Sequence, residues 1–155
     1  MDKKIKICFA ASSGGHYEQL LMLKPLMEKY DSFVVTEETL YKTQIKDEKM
    51  YYLSQVNRKE TSFIPKMIVN VVKSLKIYIV EKPDVVICTG VLAMIPICLI
   101  IKMAGRKLIY IESFAKVTSA TETGKFLYKF ADQFYVQWKS MLEIYPNAVY
   151  LGGIY

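Results

Sequence analysis

Short β-branched runs alternate with longer helical patterns along the whole chain. The runs predict strands at Ile5–Ala11, Ser32–Thr36, Met50–Leu53, Val85–Cys88, Lys107–Ile111, Gln133–Val136 and Ala148–Leu151. The patterns between them predict helices at about Gly15–Tyr30, Ser62–Glu81, Val91–Ala104, Ser119–Ala131 and Lys139–Ile144. Strands that alternate with helices form a parallel sheet with helices on both faces. We therefore predict the α/β class, with one doubly wound parallel sheet in a single domain that covers residues 1–155.

The composition favours a folded chain with an anionic neighbour. A chain of 155 residues with 52% hydrophobic content can bury a substantial core. Its formal net charge of +6 favours phosphate, nucleic acid or an acidic membrane surface as a neighbour. Charge alone does not choose among these three.

Cysteine usage and the N-terminal residues predict a cytoplasmic protein. Cys8, Cys88 and Cys98 lie inside apolar runs and lack the spacing of a metal site, so we expect reduced core residues. The chain runs from Met1 straight into a predicted strand, which predicts neither a signal peptide nor an anchoring helix. The longest apolar stretch, Val91–Ile101, is shorter than the roughly 20 residues that span a bilayer.

A glycine turn joins the first predicted strand to the first predicted helix. The turn is Ser12–His16, and its glycines allow the backbone to turn tightly while the first helical N–H groups point outward as donors for an anion. It has neither the G-x-G-x-x-G pattern nor the P-loop lysine, so NAD and ATP chemistry are not indicated and we expect no cofactor. His16, the only histidine, is a candidate general base, or it only caps the helix.

Ligands of open parallel sheets bind at the carboxyl ends of the strands. Candidate residues there include Thr89, Gly90, Glu112 and Ser113, although turn formers and helix caps also collect at strand ends. Glu112 could bind a sugar hydroxyl or orient another side chain, or it could be an ordinary loop carboxylate. The sequence has no Asp-x-Asp motif and no cluster of histidine and cysteine, so we expect no metal site.

The helical pattern from Ser62 to Glu81 has two different faces. The face expected in the core carries Ile64, Met67, Ile68, Val71, Leu75, Tyr78 and Ile79. The opposite face mixes basic and apolar residues: Lys66, Val69, Lys73, Lys76, Ile77 and Val80. Such a mixture suits a lipid headgroup region, although single exposed apolar residues are ordinary on soluble proteins.

Two further helix predictions depend on local pattern. The stretch Val91–Ile101 is apolar on all sides, which predicts a buried crossover helix or, alternatively, part of an apolar surface patch. Ser119 and Glu122 have the spacing of a capping box, so we expect Ser119 to cap the helix that follows.

Motifs in a fixed order resemble those of acceptor-side subunits of two-chain GT-B glycosyltransferases. These subunits occur in bacterial capsule and exopolysaccharide clusters as PssD/CpsF-like proteins, and a eukaryotic relative recruits the UDP-GlcNAc transferase of dolichol-linked chitobiose to the membrane. The matching stretches are Ser12–His16, Pro83–Gly90, Ile109–Ser113, Thr123–Lys125, Ala131–Asp132, Val136–Trp138 and Tyr150–Gly153.

The resemblance implies half of an enzyme. The chain would be equivalent to the Rossmann-like N-terminal half of a GT-B glycosyltransferase and would bind an undecaprenyl-diphosphate-linked sugar acceptor. A separate donor-binding subunit would supply the other half and bring the UDP-sugar. We therefore expect little activity from the chain alone, a peripheral position on the inner face of the bacterial cell membrane, and no nucleic acid partner.

The resemblance also implies roles for particular residues. His16 would deprotonate or position the acceptor hydroxyl, and Glu112 would hold the acceptor sugar or support the subunit interface. Residues expected to bind the acceptor and its diphosphate are Ser12, Ser13, Gly14, Gly15, Thr89, Gly90 and Ser113. Expected partner contacts are Gln137, Trp138, Tyr150 and Tyr155, and expected membrane contacts are Lys66, Val69, Lys73, Lys76 and Ile77.

Two other classes of function fit the sequence. One is a stand-alone Rossmann-like enzyme that uses His16 on a small phosphorylated substrate. The other is a noncatalytic scaffold at the membrane surface.

Overall fold

A parallel sheet of seven strands forms the centre of the computed structural model, which describes residues 4–40 and 44–155. The strands are β1 (Lys6–Ala11), β2 (Asp31–Glu37), β3 (Lys49–Leu53), β4 (Val85–Gly90), β5 (Lys107–Ile111), β6 (Gln133–Val136) and β7 (Val149–Tyr150). Their order is β3-β2-β1-β4-β5-β6-β7, and all neighbouring pairs are parallel. The order reverses between β1 and β4, which is where doubly wound sheets bind their ligands.

Helices cover both faces of the sheet, as the alternating pattern predicts. They are α1 (Gly15–Leu21), α2 (Lys24–Lys29), α3 (Phe63–Glu81), α4 (Ile95–Met103) and α5 (Glu122–Leu127), with 3-10 turns at Leu92–Met94 and Lys139–Glu143. One face packs residues such as Cys8, Phe33 and Leu108 against α4 and its neighbours. The other packs Phe9 and Val34 against α1 and α2. The predicted fold class is confirmed.

Buried apolar residues follow the prediction in two places. The stretch 91–101 is the buried crossover between β4 and β5, with Ile97 and Ile101 fully enclosed. Cys8, Cys88 and Cys98 are buried and carry free thiols, as expected of small core residues.

Several helices differ from the prediction, and the one expected over 139–144 is a 3-10 turn at Lys139–Glu143. The pattern over 15–30 is two helices rather than one, because Pro25, in the first turn of α2, has no N–H with which to continue the hydrogen-bond series of α1. Ser119 does not cap α5. Thr121 does so instead, since its hydroxyl accepts a hydrogen bond from the Gly124 N–H at 2.9 Å.

The buried face of α3 differs from the predicted one. The helix buries Asn70, Ser74, Ile77 and Glu81. Five aliphatic side chains expected in the core are exposed instead, and together with the exposed Val72 they form what we call the α3 stripe: Ile64, Ile68, Val71, Val72, Leu75 and Ile79. Within the described ranges, none of the helices has the length and apolar character needed to cross a bilayer.

Hydrogen bonds explain why α3 packs through polar residues. The Asn70 amide accepts from the Ser54 N–H at 2.7 Å and donates to the Ser54 carbonyl at 2.8 Å, so it holds the segment that follows β3. At the other end of the helix, the Glu81 carboxylate accepts from Lys6 at 2.9 Å and also bonds Lys49 and Tyr51. These bonds satisfy the buried polar groups and fix the rotation of the helix.

Candidate functional site

The glycine turn after β1 is bonded to the end of β4. Gly14 has φ +77° at the N-terminus of α1, and its carbonyl accepts from the N–H groups of Tyr17 and Glu18. The Ser12 N–H donates to the Gly90 carbonyl at 2.7 Å. The turn therefore lies at the predicted position, beside the point where the strand order reverses.

His16 is held in one orientation by Thr89. Its Nδ1 lies 2.7 Å from the Thr89 carbonyl oxygen, and the Thr89 hydroxyl donates to the His16 carbonyl at 2.8 Å. Because a carbonyl oxygen can only accept, Nδ1 carries the hydrogen of this bond. In the neutral ring Nε2 is then an acceptor, which is the form that a general base needs.

Gly90 provides the space for the imidazole. Its φ is +115°, and a Cβ at this position would lie 2.9 Å from His16 Nδ1 and 3.0 Å from Cε1. A residue with a side chain would therefore be strained in its backbone and would push against the ring. The structure thus brings His16, Thr89 and Gly90 together, as the sequence predicts.

A cleft of about 430 Å³ opens beside the histidine. Its lining residues are Gly15, His16, Gln19, Ser113, Phe114, Ala115 and Tyr155. Gly15, His16 and Ser113 were expected to lie here, whereas Tyr155 was expected at a subunit interface. Gln19 and Phe114 were not predicted, because a glutamine inside a helical pattern and a phenylalanine in a loop give no distinctive signal.

Both serines of the turn form hydrogen bonds within the chain. The N–H and hydroxyl of Ser13 donate to Glu37 Oε2 at 3.4 Å and 3.3 Å, and the Ser12 hydroxyl donates to the Ser13 carbonyl at 3.5 Å. This geometry argues against the expectation that Ser12 and Ser13 bind a diphosphate directly. The exposed part of the turn is Gly14 and Gly15.

Glu37 bonds the glycine turn, a role that the sequence does not predict for this strand-end residue. It ends β2 and is only 5% exposed. Burial raises the pKa of its carboxyl above the ordinary value, and hydrogen bonds from Ser13 oppose that rise. Its position at a strand end was the available signal, but many strand ends carry acidic residues.

Glu112 holds a loop together rather than facing the cleft. The residue is 1% exposed. Oε1 accepts from the Ser113 N–H at 2.9 Å and the Thr121 hydroxyl at 2.8 Å, while Oε2 accepts from the Thr121 N–H at 3.2 Å and the Tyr145 hydroxyl at 2.8 Å. With both oxygens bonded inside the chain, direct binding of an acceptor sugar by Glu112 is contradicted. It is a positioning residue for the loop that carries Ser113.

Tyr145 and Gly124 lie next to the buried carboxylate of Glu112. Burial raises the pKa of Tyr145, and the negative charge of Glu112 raises it further. Gly124 leaves space for the carboxylate, because a Cβ there would lie 2.2 Å from Glu112 Oε2. Tyr145 is therefore a core residue.

The four expected partner contacts divide into two groups. Gln137 is 3% exposed and is bonded inside the chain, and the Trp138 indole donates to the Phe114 carbonyl at 2.6 Å. A surface role for the Gln137 side chain is therefore wrong. Tyr150 and Tyr155 are exposed and remain predicted contacts.

The expected membrane contacts also divide. Ile77 is buried in the core, so its prediction as a contact is wrong. Lys66 pairs with Glu60 at 2.5 Å and Lys73 donates to the Ser54 hydroxyl at 3.4 Å, and both lysines are half-buried. Val69 and Lys76 are exposed, as expected. In the part of the chain that the structure describes, no group of three or more His, Cys, Asp and Glu residues could hold a metal ion.

The sheet order and the cleft at its carboxyl edge define a Rossmann-like half of a GT-B glycosyltransferase fold. MurG of Acinetobacter baumannii matches with a TM-score of 0.71 and 16% identity over 88% of this chain and 42% of that one. The lipopolysaccharide outer core galactosyltransferase WaaB matches with a TM-score of 0.64 and 14% identity over 94% of this chain and 43% of that one. A UDP-N-acetylglucosamine 2-epimerase from Rickettsia bellii matches with a TM-score of 0.73 and 10% identity over 98% of this chain and 46% of that one. At these identities the likeness shows the fold alone.

The chain belongs to the Alg14-like family, since the family described as "Oligosaccharide biosynthesis protein Alg14 like" matches residues 7–154. The human UDP-N-acetylglucosamine transferase subunit ALG14 is 40% identical over 79 residues, which cover 47% of this chain and 37% of the human one. The ALG14 subunit of Yarrowia lipolytica is 28% identical over 172 residues, which cover 95% of this chain and 80% of the relative. The match to the human relative thus spans less than half of that protein.

Proposed function

We propose that this chain is the acceptor-side subunit of a two-chain glycosyltransferase in capsular or exopolysaccharide repeat-unit assembly. It binds a lipid-diphosphate-linked sugar, and a partner subunit with the donor-binding half of the GT-B fold brings the UDP-sugar. The observation that carries the proposal is a cleft with an oriented histidine in a family whose curated relatives are transferase subunits. The PssD/CpsF-like branch and the undecaprenyl carrier rest on the motifs in the sequence.

His16 is proposed as the base. Its Nε2 takes the proton from the acceptor hydroxyl while the hydroxyl oxygen bonds to the anomeric carbon of the UDP-sugar. The bond between that carbon and the diphosphate breaks, UDP leaves, and the anomeric carbon is inverted. The Thr89 carbonyl supports this role, because it holds the ring in the required tautomer and orientation.

The acceptor is proposed to bind with its sugar in the cleft and its diphosphate beside Gly14 and Gly15. These glycines are exposed and have no neighbouring atom within 4 Å of a hypothetical Cβ, so a ligand can approach the backbone closely. Because the donors of Ser12 and Ser13 are engaged within the chain, we propose that the diphosphate lies on the outer side of the turn. The net charge of +6 favours an anionic ligand.

The α3 stripe is proposed to lie on the inner face of the bacterial membrane. No acidic residue occurs between positions 63 and 80, whereas Lys66, Lys73 and Lys76 flank the apolar side chains. An apolar strip on a helix whose charged residues from 63 to 80 are all basic suits an acidic lipid surface. Through Asn70 the helix is tied to Ser54, which follows β3, so the first half of α3 lies toward the carboxyl edge of the sheet, the edge at which the cleft also opens.

Vesicle binding tests the membrane contact. We expect the chain to sediment with phosphatidylglycerol vesicles and less with phosphatidylcholine ones. The double variant Ile68→Asn, Leu75→Asn should lose binding in both, while Lys76→Glu should weaken only the salt-sensitive part. Met22→Asn, which changes an exposed apolar residue outside α3, is the matched control. Equal binding by the double variant and the control would place the contact elsewhere.

A reconstitution experiment tests the subunit function. Transfer from UDP-GlcNAc, the donor named by the curated relatives, to lipid-linked acceptors is measured with this chain, with a candidate donor-binding subunit, and with both. We expect transfer only from the mixture. Activity of this chain alone on a phosphorylated substrate would favour a stand-alone enzyme, and full activity of the other subunit alone would remove this chain from catalysis.

A further inference from the structure

Segment 151–155 lies against the loop that follows β5. The Ile154 N–H donates to Gln137 Oε1 at 3.1 Å. The Tyr155 ring packs edge-on against Phe114 with 4.9 Å between ring centres, and a Cβ on Gly153 would lie 3.1 Å from the Phe114 ring. Since Phe114 and Tyr155 both line the cleft, this segment forms part of its wall.

Gln137 connects the segment to the interior. Its Nε2 donates to Gln19 Oε1 at 2.8 Å and to the Glu112 carbonyl at 2.9 Å, while its Oε1 faces Ile154. An amide donates and accepts at the same time, which neither a carboxylate nor an apolar side chain of similar size can do. The residue is 3% exposed, so these bonds are made away from water and depend strongly on correct partners.

Gln19 completes the connection to the histidine. It lies in α1, one turn after His16, and is 4% exposed. Its Oε1 also accepts from the Phe114 N–H at 3.3 Å. A continuous series of hydrogen bonds therefore runs from Ile154 through Gln137 and Gln19 to the helix that carries His16.

We propose that segment 151–155 is a positioning element of the cleft, which adjusts the placement of α1, and with it His16, through the Gln137–Gln19 amide pair. Binding of any molecule that displaces or clamps this segment then changes the surroundings of the histidine. The inference takes from the proposed function only that His16 is the functional group of the cleft. Neither Gln137 nor Gln19 touches the reacting atoms, so both act as positioning residues.

The chain contains one probe at each end of this series. His16 is its only histidine, so the ring C–H resonances in a proton NMR spectrum have a single source. Trp138 is its only tryptophan, and its ring packs against Phe114 at 4.9 Å between centres, on which Tyr155 also packs. Fluorescence quenching of Trp138 by acrylamide therefore reports whether the segment covers Phe114. Both measurements use the full chain and need neither substrate nor partner.

Two matched pairs of variants break the series at different bonds. Ile154→Pro removes the N–H that donates to Gln137, while Ile154→Ala keeps it and shortens the side chain. Gln137→Glu keeps an acceptor for Ile154 but loses both inward donors. Gln133→Glu makes the same chemical change at an exposed position of β6.

We expect Ile154→Pro and Gln137→Glu to shift the His16 ring resonances at constant pH beyond the spread of the two controls. Quenching of Trp138 should rise in Ile154→Pro. Unmoved histidine resonances in both variants would overturn the proposal, whatever the tryptophan shows. If circular dichroism finds Ile154→Pro unfolded, the test uses only the other pair. The His16 resonances of Gln137→Glu are then compared with those of Gln133→Glu. Because transfer is not measured, the transferase assignment can fail while this inference stands.

Discussion

His16 and Thr89 hold each other through two hydrogen bonds, one from Nδ1 to the Thr89 carbonyl at 2.7 Å and one from the Thr89 hydroxyl to the His16 carbonyl at 2.8 Å. One residue follows β1 and the other ends β4, and these strands are neighbours at the reversal of strand order. The histidine is therefore oriented by the sheet itself before any ligand binds. Such preorganisation is what a positioned base requires.

Gly90→Ala tests the space that this arrangement needs. The new Cβ would lie 2.9 Å from His16 Nδ1 at a φ of +115°, so we expect a loss of about 2–4 kcal/mol in the free energy of unfolding by urea denaturation. Gly105→Ala, with positive φ but open space, should cost only about 1 kcal/mol. Equal losses in the two variants would mean that the imidazole does not fill the space beside Gly90.

Glu112→Gln tests a positioning role for the buried carboxylate. One of its two oxygens becomes an NH₂ group that faces donors, so unfolding free energy should fall by about 2–4 kcal/mol. Tyr145→Phe removes one of the four donors and should cost about 1–2 kcal/mol. A Glu112→Gln variant as stable as the parent would contradict the hydrogen-bond assignment and reopen a ligand-binding role.

The orientation of α3 predicts that removing a polar side chain from this helix costs more stability than removing an apolar one. Asn70→Ala should cost about 2 kcal/mol, because both backbone groups of Ser54 lose their partner. Ile68→Ala should cost less than about 0.5 kcal/mol, since Ile68 is 59% exposed. Thermal unfolding of the two variants compares these effects. A larger loss for Ile68→Ala would favour the orientation expected from hydrophobic periodicity.

Glu81 makes stability depend on pH in the acid range. Burial raises the pKa of this carboxyl, but hydrogen bonds from Lys49, Tyr51 and Lys6 prevail and lower it to about 2 from the ordinary 4.5. Its contribution is complete well above pH 4.5 and is lost as the pH falls from 4.5 through about 2, because below that pH both the folded and the unfolded carboxyl are protonated.

Comparison of Glu81→Gln with the parent tests this dependence of stability on pH. At pH 7 we expect unfolding free energy to fall by about 2 kcal/mol. The difference should shrink between pH 4.5 and pH 2, as followed by urea titrations. Glu28→Gln changes an exposed carboxylate and should stay close to the parent at every pH. A difference that does not depend on pH would assign the loss to packing rather than to charge.

Sequence patterns predict the inner strands well because β1, β2, β4 and β5 are apolar runs whose residues are mostly buried on both faces of the sheet. Hydrophobic periodicity fails for α3, where it assumes that apolar residues face the core. The helix instead buries Asn70 and Glu81, whose partners Ser54, Lys6 and Tyr51 lie far away along the chain. A local sequence pattern does not predict partners that only the folded chain brings together.

The candidate site could likewise be predicted from the sequence only in part. The glycine turn and His16 are recognisable because strand, glycines and helix follow one another directly. The engagement of Ser13 by Glu37, and of Gln19 by Gln137, joins residues 24 and 118 positions apart. Glu112 was recognised by its position after β5, but its saturation by Thr121 and Tyr145 depends on tertiary packing.

The central claim is that His16 supplies the base of a transferase assembled from two chains. The most direct measurement is the sugar-transfer rate of the assembled pair with His16→Ala, after gel filtration has shown that the variant still forms the pair. We expect transfer to fall at least ~100-fold while the Trp138 fluorescence stays that of the parent. Transfer at the parental rate by the intact variant pair would contradict the account.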